Sequence, residues 1–105
     1  MKVRYAASLL TVTLLIALLA GSLATSQKSD QAEVLLQAAN HKQVVEGKLE
    51  EAILLYKRIV QEFAGNRAIA AKALASMGEC YEKLKDNKNA LKNYRLCLKI
   101  LQASI

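Results

Sequence analysis

The 105-residue sequence contains no proline and no tryptophan, and glycine occurs only four times. Proline and glycine disfavour helix interiors more than any other residues, so their scarcity leaves long uninterrupted stretches of helix-forming residues. Aromatic residues are scarce as well, at 5% of the chain. One histidine and two cysteines provide few groups for metal binding or for nucleophilic catalysis. These absences favour a helical protein over a metalloprotein or an enzyme that relies on histidine and cysteine.

The first residues have the three-part order of a secretory signal peptide. Lys2 and Arg4 form a basic start, and an almost unbroken apolar run covers residues 9–20. Ser22 and Ala24 then place small residues at positions −3 and −1 of a cleavage site after Ala24. The apolar run is shorter than the roughly 20 residues that cross a bilayer as a helix. We therefore expect cleavage and export to the periplasm or the extracellular space.

Two alternatives for this segment are an uncleaved membrane anchor over about 6–24 and a buried helix of the fold. No cysteine follows the apolar run, so a lipoprotein-type attachment is not expected. Cleavage would divide the chain into a signal peptide over 1–24, a linker over 25–29 and a working domain over 30–105.

The distribution of charge gives no indication of a nucleic-acid partner. The formal net charge is +6, but Lys2 and Arg4 belong to the leader, so 15 less 2 leaves 13 basic residues against nine acidic ones. Lysine and glutamate alternate along the rest of the chain without forming a block. A nucleic-acid-binding surface would need a clustered basic stripe with aromatic residues interleaved. We expect no nucleic-acid partner, and a membrane partner only if the leader is retained.

Cys80 and Cys97 belong to a chain that is expected in a potentially oxidising compartment. A disulfide is one alternative, but the predicted helices displace the two residues by about one turn on antiparallel neighbours. Bridged Cα atoms must lie within about 7 Å of one another. We favour two small buried side chains with free thiols. No Cys-x-x-Cys motif or Cys/His cluster indicates a zinc or redox site.

From residue 30 onward the apolar residues recur at helical spacing rather than in alternation. A continuous stripe is formed by Ala70, Ala73, Leu74, Met77, Gly78, Tyr81 and Leu84. Equivalent spacing elsewhere predicts four helices, at about 30–46, 49–63, 67–85 and 88–102. Their connections are only a few residues long, which makes consecutive helices antiparallel. The predicted fold class is all-α, with two antiparallel helical hairpins.

Polar residues and glycines predict where the helices begin and end. Ser29 or Asp30 can cap the first helix, with Glu33 completing a pair that resembles a capping box. Gly47 stops that helix, because glycine adopts the left-handed conformation at low cost. The Gly-Asn dipeptide at 65–66 is expected to end the second helix in the same way.

The turn at 85–87 separates the third and fourth helices and contains no glycine. Asn87 can adopt the left-handed conformation there. Either Asp86 or Asn87 can cap the fourth helix.

The sequence repeats itself at an offset of about 38 residues. Paired positions carry the same class of residue: Leu36/Leu74, Ala52/Ala90, Ile53/Leu91, Tyr56/Tyr94, Lys57/Arg95, Val60/Leu98 and Phe63/Leu101. Gly47 pairs with Lys85 at the turn inside each hairpin. Helix pairs stack as a solenoid only if small residues lie where two backbones approach, with large residues in the flanking gaps. The two repeats cover about 30–66 and 67–102.

The second repeat resembles the tetratricopeptide signature L-G-x-x-Y, followed by an alanine, an aromatic residue and a small residue. The residues that carry this resemblance are Met77, Gly78, Tyr81, Ala90, Tyr94, Cys97 and Leu98. Ala52 and Tyr56 supply the second half of the signature in the first repeat, and Gly47 occupies its turn. The resemblance implies a solenoid of helical hairpins in which these residues provide the packing.

The repeat is longer than the ~34 residues usual for that family. In this it is similar to the N-terminal tetratricopeptide modules of certain exported bacterial proteins, in which a β-propeller follows the repeats. The segments 46–53 and 65–68 carry this similarity. Asn40 and Gln43 replace the glycine and tyrosine of the signature, so the first helix is expected to pack less tightly. A truncated relative of a longer repeat–propeller protein is one interpretation of the chain.

The resemblance also implies a concave groove, lined by the first helix of each hairpin, that binds a peptide or protein segment. The candidate groove residues are Gln37, His41, Lys72, Ser76, Glu79 and Lys83. A clamp for a C-terminal carboxylate is not supported, because only Lys72 fits it and Glu79 would repel the carboxylate. The expected ligand is a segment of mixed polarity.

His41 is the only histidine, and no serine or cysteine nucleophile is placed to meet it. It could be a general base, but a partly exposed helix residue is the interpretation we favour. Glu50 and Glu51 lie where the second helix begins and suit the helix dipole. Lys83 follows Glu79 by four residues, which predicts a surface ion pair. No enzymatic activity, cofactor or metal is expected.

Two repeats are fewer than the roughly three that solenoids need for stability. The last helix is therefore expected to leave an apolar strip uncovered that contains Leu96, Ile100 and Leu101. Self-association, or docking onto another protein, would use that helix. The expected function is an exported protein-interaction module or scaffold, and the alternative is a membrane-anchored structural subunit of an envelope complex.

Overall fold

The structure, a computed structural model, describes residues 28–103 of the chain. Four helices fill this range: α1 over 28–44, α2 over Leu49–Glu62, α3 over Arg67–Lys83 and α4 over Asn87–Ala103. The described part of the chain contains no strand. The prediction of an all-α fold with four helices is confirmed, and the helix boundaries lie within a few residues of the predicted ones.

The chain separates into two compact units, Met1–Asp30 and Gln31–Ile105. Of the first unit only residues 28–30 are described, and all three are helical. The predicted signal peptide, its cleavage site and most of the predicted linker lie outside the described residues. Between residues 28 and 103, no helix is both long and apolar enough to cross a membrane.

The predicted cap of the first helix is wrong. Ser29 and Asp30 already lie inside α1, so neither of them begins it. Serine and aspartate cost at most about 0.7 kcal/mol inside a helix, which is too little to stop one that neighbouring residues favour.

The turns inside the two hairpins each contain one residue in the left-handed conformation. Gly47 has a φ of +67°, and the next backbone N–H donates over 2.9 Å to the carbonyl oxygen of Lys42. Lys85 has a φ of +64°, and the N–H after it donates over 2.8 Å to the carbonyl oxygen of Tyr81. In both, a left-handed residue lets the chain close the last helical turn. The role of Gly47 is confirmed, whereas Asn87 belongs to α4 and the left-handed residue of the second turn is Lys85.

Side chains cap the starts of α3 and α4. Asn66 Oδ1 accepts from the Ile69 N–H at 3.2 Å. Asp86 accepts from the Asn89 N–H at 3.2 Å and from Asn89 Nδ2 at 2.7 Å, so it is the cap of α4. The prediction that Gly65 and Asn66 end α2 in a left-handed conformation is wrong, because Asn66 serves the next helix and Gly65 has no positive φ.

The core lies between the helix faces, with α3 packed against both α2 and α4. Its residues are Ala32, Ala39, Ala52, Ile53, Tyr56, Ile59, Phe63, Ile69, Ala73, Leu74, Met77 and Cys80. Their burial stabilises the fold at roughly 25 cal/mol for each Å² of apolar surface removed from water. The predicted stripe on α3 is buried from Ala70 to Gly78, and its last member, Leu84, is 37% exposed because it ends the helix.

Small residues lie where α3 and α4 approach. A Cβ atom at Gly78 would lie 2.6 Å from Cζ and 2.7 Å from Cδ1 of the Tyr94 ring. The thiol of Cys97 lies 3.3 Å from the carbonyl oxygen of Ala71, and Ala90 is buried. Both cysteines are free thiols; Cys80 is buried as predicted, whereas Cys97 is only half-buried. The second repeat therefore packs through the residue classes that its sequence predicts.

Candidate functional site

A groove of about 390 Å³ lies between α1 and α3, with Tyr56 of α2 beneath it. Its lining residues are Glu33, Leu36, Gln37, Asn40, Tyr56, Lys72, Ala75 and Ser76. All of them belong to the unit Gln31–Ile105. Positions three and four apart share one helix face, so the spacing of the α1 residues and of the α3 residues places two faces on opposite sides of the groove.

Three of the six predicted groove residues, Gln37, Lys72 and Ser76, line this groove together. Gln37 and Lys72 are exposed, whereas Ser76 is half-buried. They come from the first helix of each hairpin, which is where the tetratricopeptide resemblance places the groove.

The other three predicted residues lie outside the lining. His41 is at the end of α1, with its side chain 61% exposed and its Nδ1 3.6 Å from the Glu46 carboxylate. Lys83 is exposed in the last turn of α3. Glu79 accepts a hydrogen bond of 3.2 Å from Gln43 Nε2. The predicted ion pair between Glu79 and Lys83 does not form among the described residues, because the carboxylate is turned towards Gln43.

A hydrogen-bonded cluster supports one side of the groove. The Tyr56 hydroxyl donates over 2.7 Å to Gln43 Oε1, and the Gln43 amide donates onward to Glu79. Tyr56 is fully buried, and it lines the groove together with Ser76. Burial raises the pKa of the Tyr56 hydroxyl above its ordinary value, so the group stays protonated and keeps donating. The described residues contain no buried side-chain polar atom without a hydrogen-bond partner.

Ion pairs hold the turn between α1 and α2. Lys42 Nζ lies 3.2 Å from carboxylate oxygens of both Glu46 and Glu51. The hydrogen bond with Lys42 lowers the pKa of the Glu46 carboxyl, and the same bond raises the pKa of Lys42. His41 lies beside these ion pairs at the end of α1.

Sequence reasoning did not identify Glu33 and Asn40 as groove residues or Gln43 as their support. Asn40 and Gln43 were visible as departures from the signature, and they were expected to loosen the first helix. Gln43 is instead only 4% exposed; its Oε1 accepts a hydrogen bond from Tyr56 and its Nε2 donates one to Glu79. The sequence did contain a signal for these roles. Asn40 and Gln43 are polar residues at positions where the tetratricopeptide signature has glycine and tyrosine, which pack between helices.

The outer surface of α4 differs in part from its prediction. Leu96 and Leu101 are exposed as predicted, at 41% and 48%, but Ile100 is half-buried and packs against the core. The sequence reasoning missed Leu91 and Leu98, which are 51% and 57% exposed.

A basic stripe on α4 was also missed. Its members recur at one-turn spacing and are all exposed: Lys88, Lys92, Arg95 and Lys99. α4 contains no acidic residue. The expectation that basic residues form no cluster is therefore wrong for this helix, although leucines rather than aromatic residues flank the stripe.

Residues 28–103 contain no group of three or more histidine, cysteine, aspartate or glutamate side chains that could hold a metal ion. Comparisons of the chain with protein-family models, with curated proteins and with solved structures each returned no match. The tetratricopeptide resemblance therefore stays a prediction that rests on the residues named above.

Proposed function

We propose that this chain is a protein-interaction module of the tetratricopeptide type that binds a peptide or protein segment in the groove between α1 and α3. One observation carries the proposal: the groove presents polar side chains that the other residues of the described range, 28–103, do not engage. Among the described residues, none hydrogen-bonds or ion-pairs with the side chains of Gln37, Asn40 or Lys72. Their amide and ammonium groups can hydrogen-bond with a ligand's backbone and side chains.

The contrast with the supporting cluster strengthens this proposal. Gln43, Tyr56 and Glu79 satisfy one another and hold the groove wall in one arrangement. Polar groups that are held in place lose less conformational entropy when a ligand binds. The groove thus combines a fixed wall with the amides of Gln37 and Asn40, which no other residue of 28–103 engages, and this suits recognition of peptide groups.

The charges of the groove indicate the class of ligand. Lys72 on α3 and Glu33 on α1 line the same groove, so it favours neither a strongly acidic nor a strongly basic segment. Leu36 and Ala75 add apolar surface. The ligand that fits is an extended segment of mixed polarity with at least one apolar side chain.

The proposed role is non-catalytic and needs no cofactor. We also propose that the protein is exported, because its first 24 residues follow the order of a signal peptide. N-terminal sequencing of the protein from the envelope and the medium tests this part. A new N-terminus at Thr25 supports export with cleavage, and a retained Met1 in every fraction contradicts the cleavage.

Affinity capture with the tagged full chain tests the groove. We expect the double variant Q37A/K72A to lose most of the partner that the unaltered chain retains. The matched control is K57A/Q61A, which removes one glutamine and one lysine from exposed positions of α2 outside the groove. A partner that is lost equally from both variants, or from neither, would contradict binding in this groove.

A further inference from the structure

The internal repeat identifies a surface of α4 that is uncovered where its counterpart on α2 is covered. At the offset of about 38 residues, four positions of α4 correspond to three buried positions and one half-buried position of α2. The pairs are Ile53/Leu91, Tyr56/Tyr94, Val60/Leu98 and Phe63/Leu101. Tyr94 is half-buried and packs over Gly78 of α3. The other three α4 members, Leu91, Leu98 and Leu101, lie at i, i+7 and i+10 on one face and are here named the α4 strip.

The α4 strip and the corresponding residues of α2 differ in how much of each side chain is exposed to solvent. On α2, Ile53 is 6% exposed, Tyr56 is fully buried and Phe63 is 9% exposed, while Val60 is half-buried. On α4, Leu91, Leu98 and Leu101 are each about half exposed, at 51%, 57% and 48%.

α3 packs against α2 and helps to cover the equivalent α2 residues, together with Gln43 of α1, which accepts a hydrogen bond from Tyr56. Ala73, Met77 and Cys80 of α3 belong to the same core cluster as Ile53, Tyr56 and Phe63 of α2. α3 is rich in small residues, with five alanines and one glycine among its 17 residues. Such residues allow two helix backbones to approach closely. The occupant that fits the α4 strip is therefore another helix with small residues along its contact face.

The charges near the α4 strip indicate the charge of the helix that could pack on it. Lys88 and Arg95 lie beside the α4 strip, and α4 carries no acidic residue to offset them. A second α4 packed across a two-fold axis would bring these cations near their own copies, which repel. The segment 1–27 fits poorly as well, since it contains basic residues and no acidic one. A complementary helix carries acidic side chains beside its small residues.

We propose that the α4 strip binds an acidic amphipathic helix of a partner protein, packed on α4 as α3 packs on α2. The leucines provide the apolar contact, and Lys88 and Arg95 pair with the acidic edge of the partner helix. This inference rests on the proposal that the chain is an interaction module, and it assigns the module a second docking surface, separate from the groove between α1 and α3.

Two synthetic peptides test the proposal. Both are derived from α3, the helix that packs against α2. Each has the α3 sequence, 67–83, with C80S to prevent oxidation. The acidic peptide carries R67E, K72E and K83E, so that all its charged residues are acidic; the basic peptide carries E79K and E82K, so that all are basic. Fluorescence anisotropy with the full-length protein should show the acidic peptide binding at least tenfold more tightly than the basic one.

Variants of the protein locate the binding. L98E should weaken binding of the acidic peptide at least tenfold, whereas L54E, at a leucine of α2 that is 66% exposed, should leave it unchanged. K88E/R95E should reverse the preference between the two peptides. Q37A/K72A should leave this binding unchanged, which separates it from the groove.

Several outcomes would overturn the proposal. Equal affinity for both peptides, absence of binding, or full binding by L98E would each contradict an acidic helix on the α4 strip. A dimer in sedimentation that L98E dissociates would identify a second copy as the occupant instead. Binding that Q37A/K72A abolishes and L98E retains would place the peptide in the groove, so that the groove proposal stands and this one fails.

Discussion

Tyr94 can lie against the backbone of α3 only because Gly78 has no side chain. A Cβ atom there would come within 2.7 Å of three ring atoms, which is far inside van der Waals contact. Either the ring or the helix would have to shift. Glycine at position 78 is therefore required for packing, and its conformational freedom is not used, since it lies in the middle of a helix.

We predict that G78A lowers the free energy of unfolding by about 1–3 kcal/mol, the usual cost of overpacking a core. Chemical denaturation measures it. G65A is the control, because a Cβ at that position meets no atom within 4 Å, and it should have little effect. The further substitution Y94L should recover part of the loss in G78A; no recovery would show that the ring is not the obstacle.

Tyr56 and Gln43 form the second critical contact at this scale. We predict that Y56F costs about 1–2 kcal/mol, since it leaves the nearly buried Gln43 Oε1 without its donor. Denaturation of Y56F, Q43L and the double variant measures the coupling. The double variant should cost less than the sum of the single ones, and simple additivity would contradict the hydrogen bond.

Helix ends show how far the sequence predicts elements. The stop at Gly47 was predictable because glycine tolerates a positive φ. The positive φ of Lys85 was not predictable, because lysine has no preference for the left-handed conformation. Only the internal repeat, which pairs Lys85 with Gly47, pointed to it. Asn66 looked like the end of α2, yet its side chain caps α3, since a short link lets one residue serve either helix.

We predict that K85G raises the free energy of unfolding by about 0.5–1 kcal/mol, because it removes the cost of a left-handed lysine. G47A should lower it by about 1 kcal/mol for the converse reason. Thermal denaturation of both variants gives the two shifts. Shifts of the same sign would contradict the equivalence of the two turns.

The cap of α4 should respond to pH. Hydrogen bonds from Asn89 lower the pKa of Asp86, so its stabilisation is complete above the ordinary aspartate pKa of about 3.9 and is lost as the pH falls through the lower folded-state pKa. The Tm gap between the unaltered protein and D86A should therefore shrink between pH 4 and pH 2. N66A is the control, because it removes an uncharged cap. The Tm difference between the unaltered protein and N66A should not change between pH 4 and pH 2, since Asn66 does not titrate.

At the scale of the whole molecule, the apolar spacing predicted the four helices, and three of the six residues predicted to line the groove do line it. Gln37, Lys72 and Ser76 follow from the position of each hairpin's first helix. Helical periodicity shows which residues share a face, but it does not show which polar residues hydrogen-bond with one another across helices. The cluster of Gln43, Tyr56 and Glu79 therefore emerged only from the structure.

The α4 strip belongs to the same scale. Its apolar character was predictable from the offset of 38 residues, but its members were assigned incorrectly until exposure separated Ile100 from Leu98. The groove and the α4 strip make different demands on a partner, namely an extended segment in one and a helix on the other.

The central claim, that a partner segment occupies the groove between α1 and α3, is tested most directly by site-specific photo-crosslinking in the producing cells. A p-benzoylphenylalanine replaces Gln37 in the groove or, as the matched control, Gln61 on the exposed surface of α2. We predict a discrete crosslinked product from position 37 that is absent from position 61 and that K72A diminishes. Crosslinks from position 61 alone, or identical products from both positions, would contradict the claim.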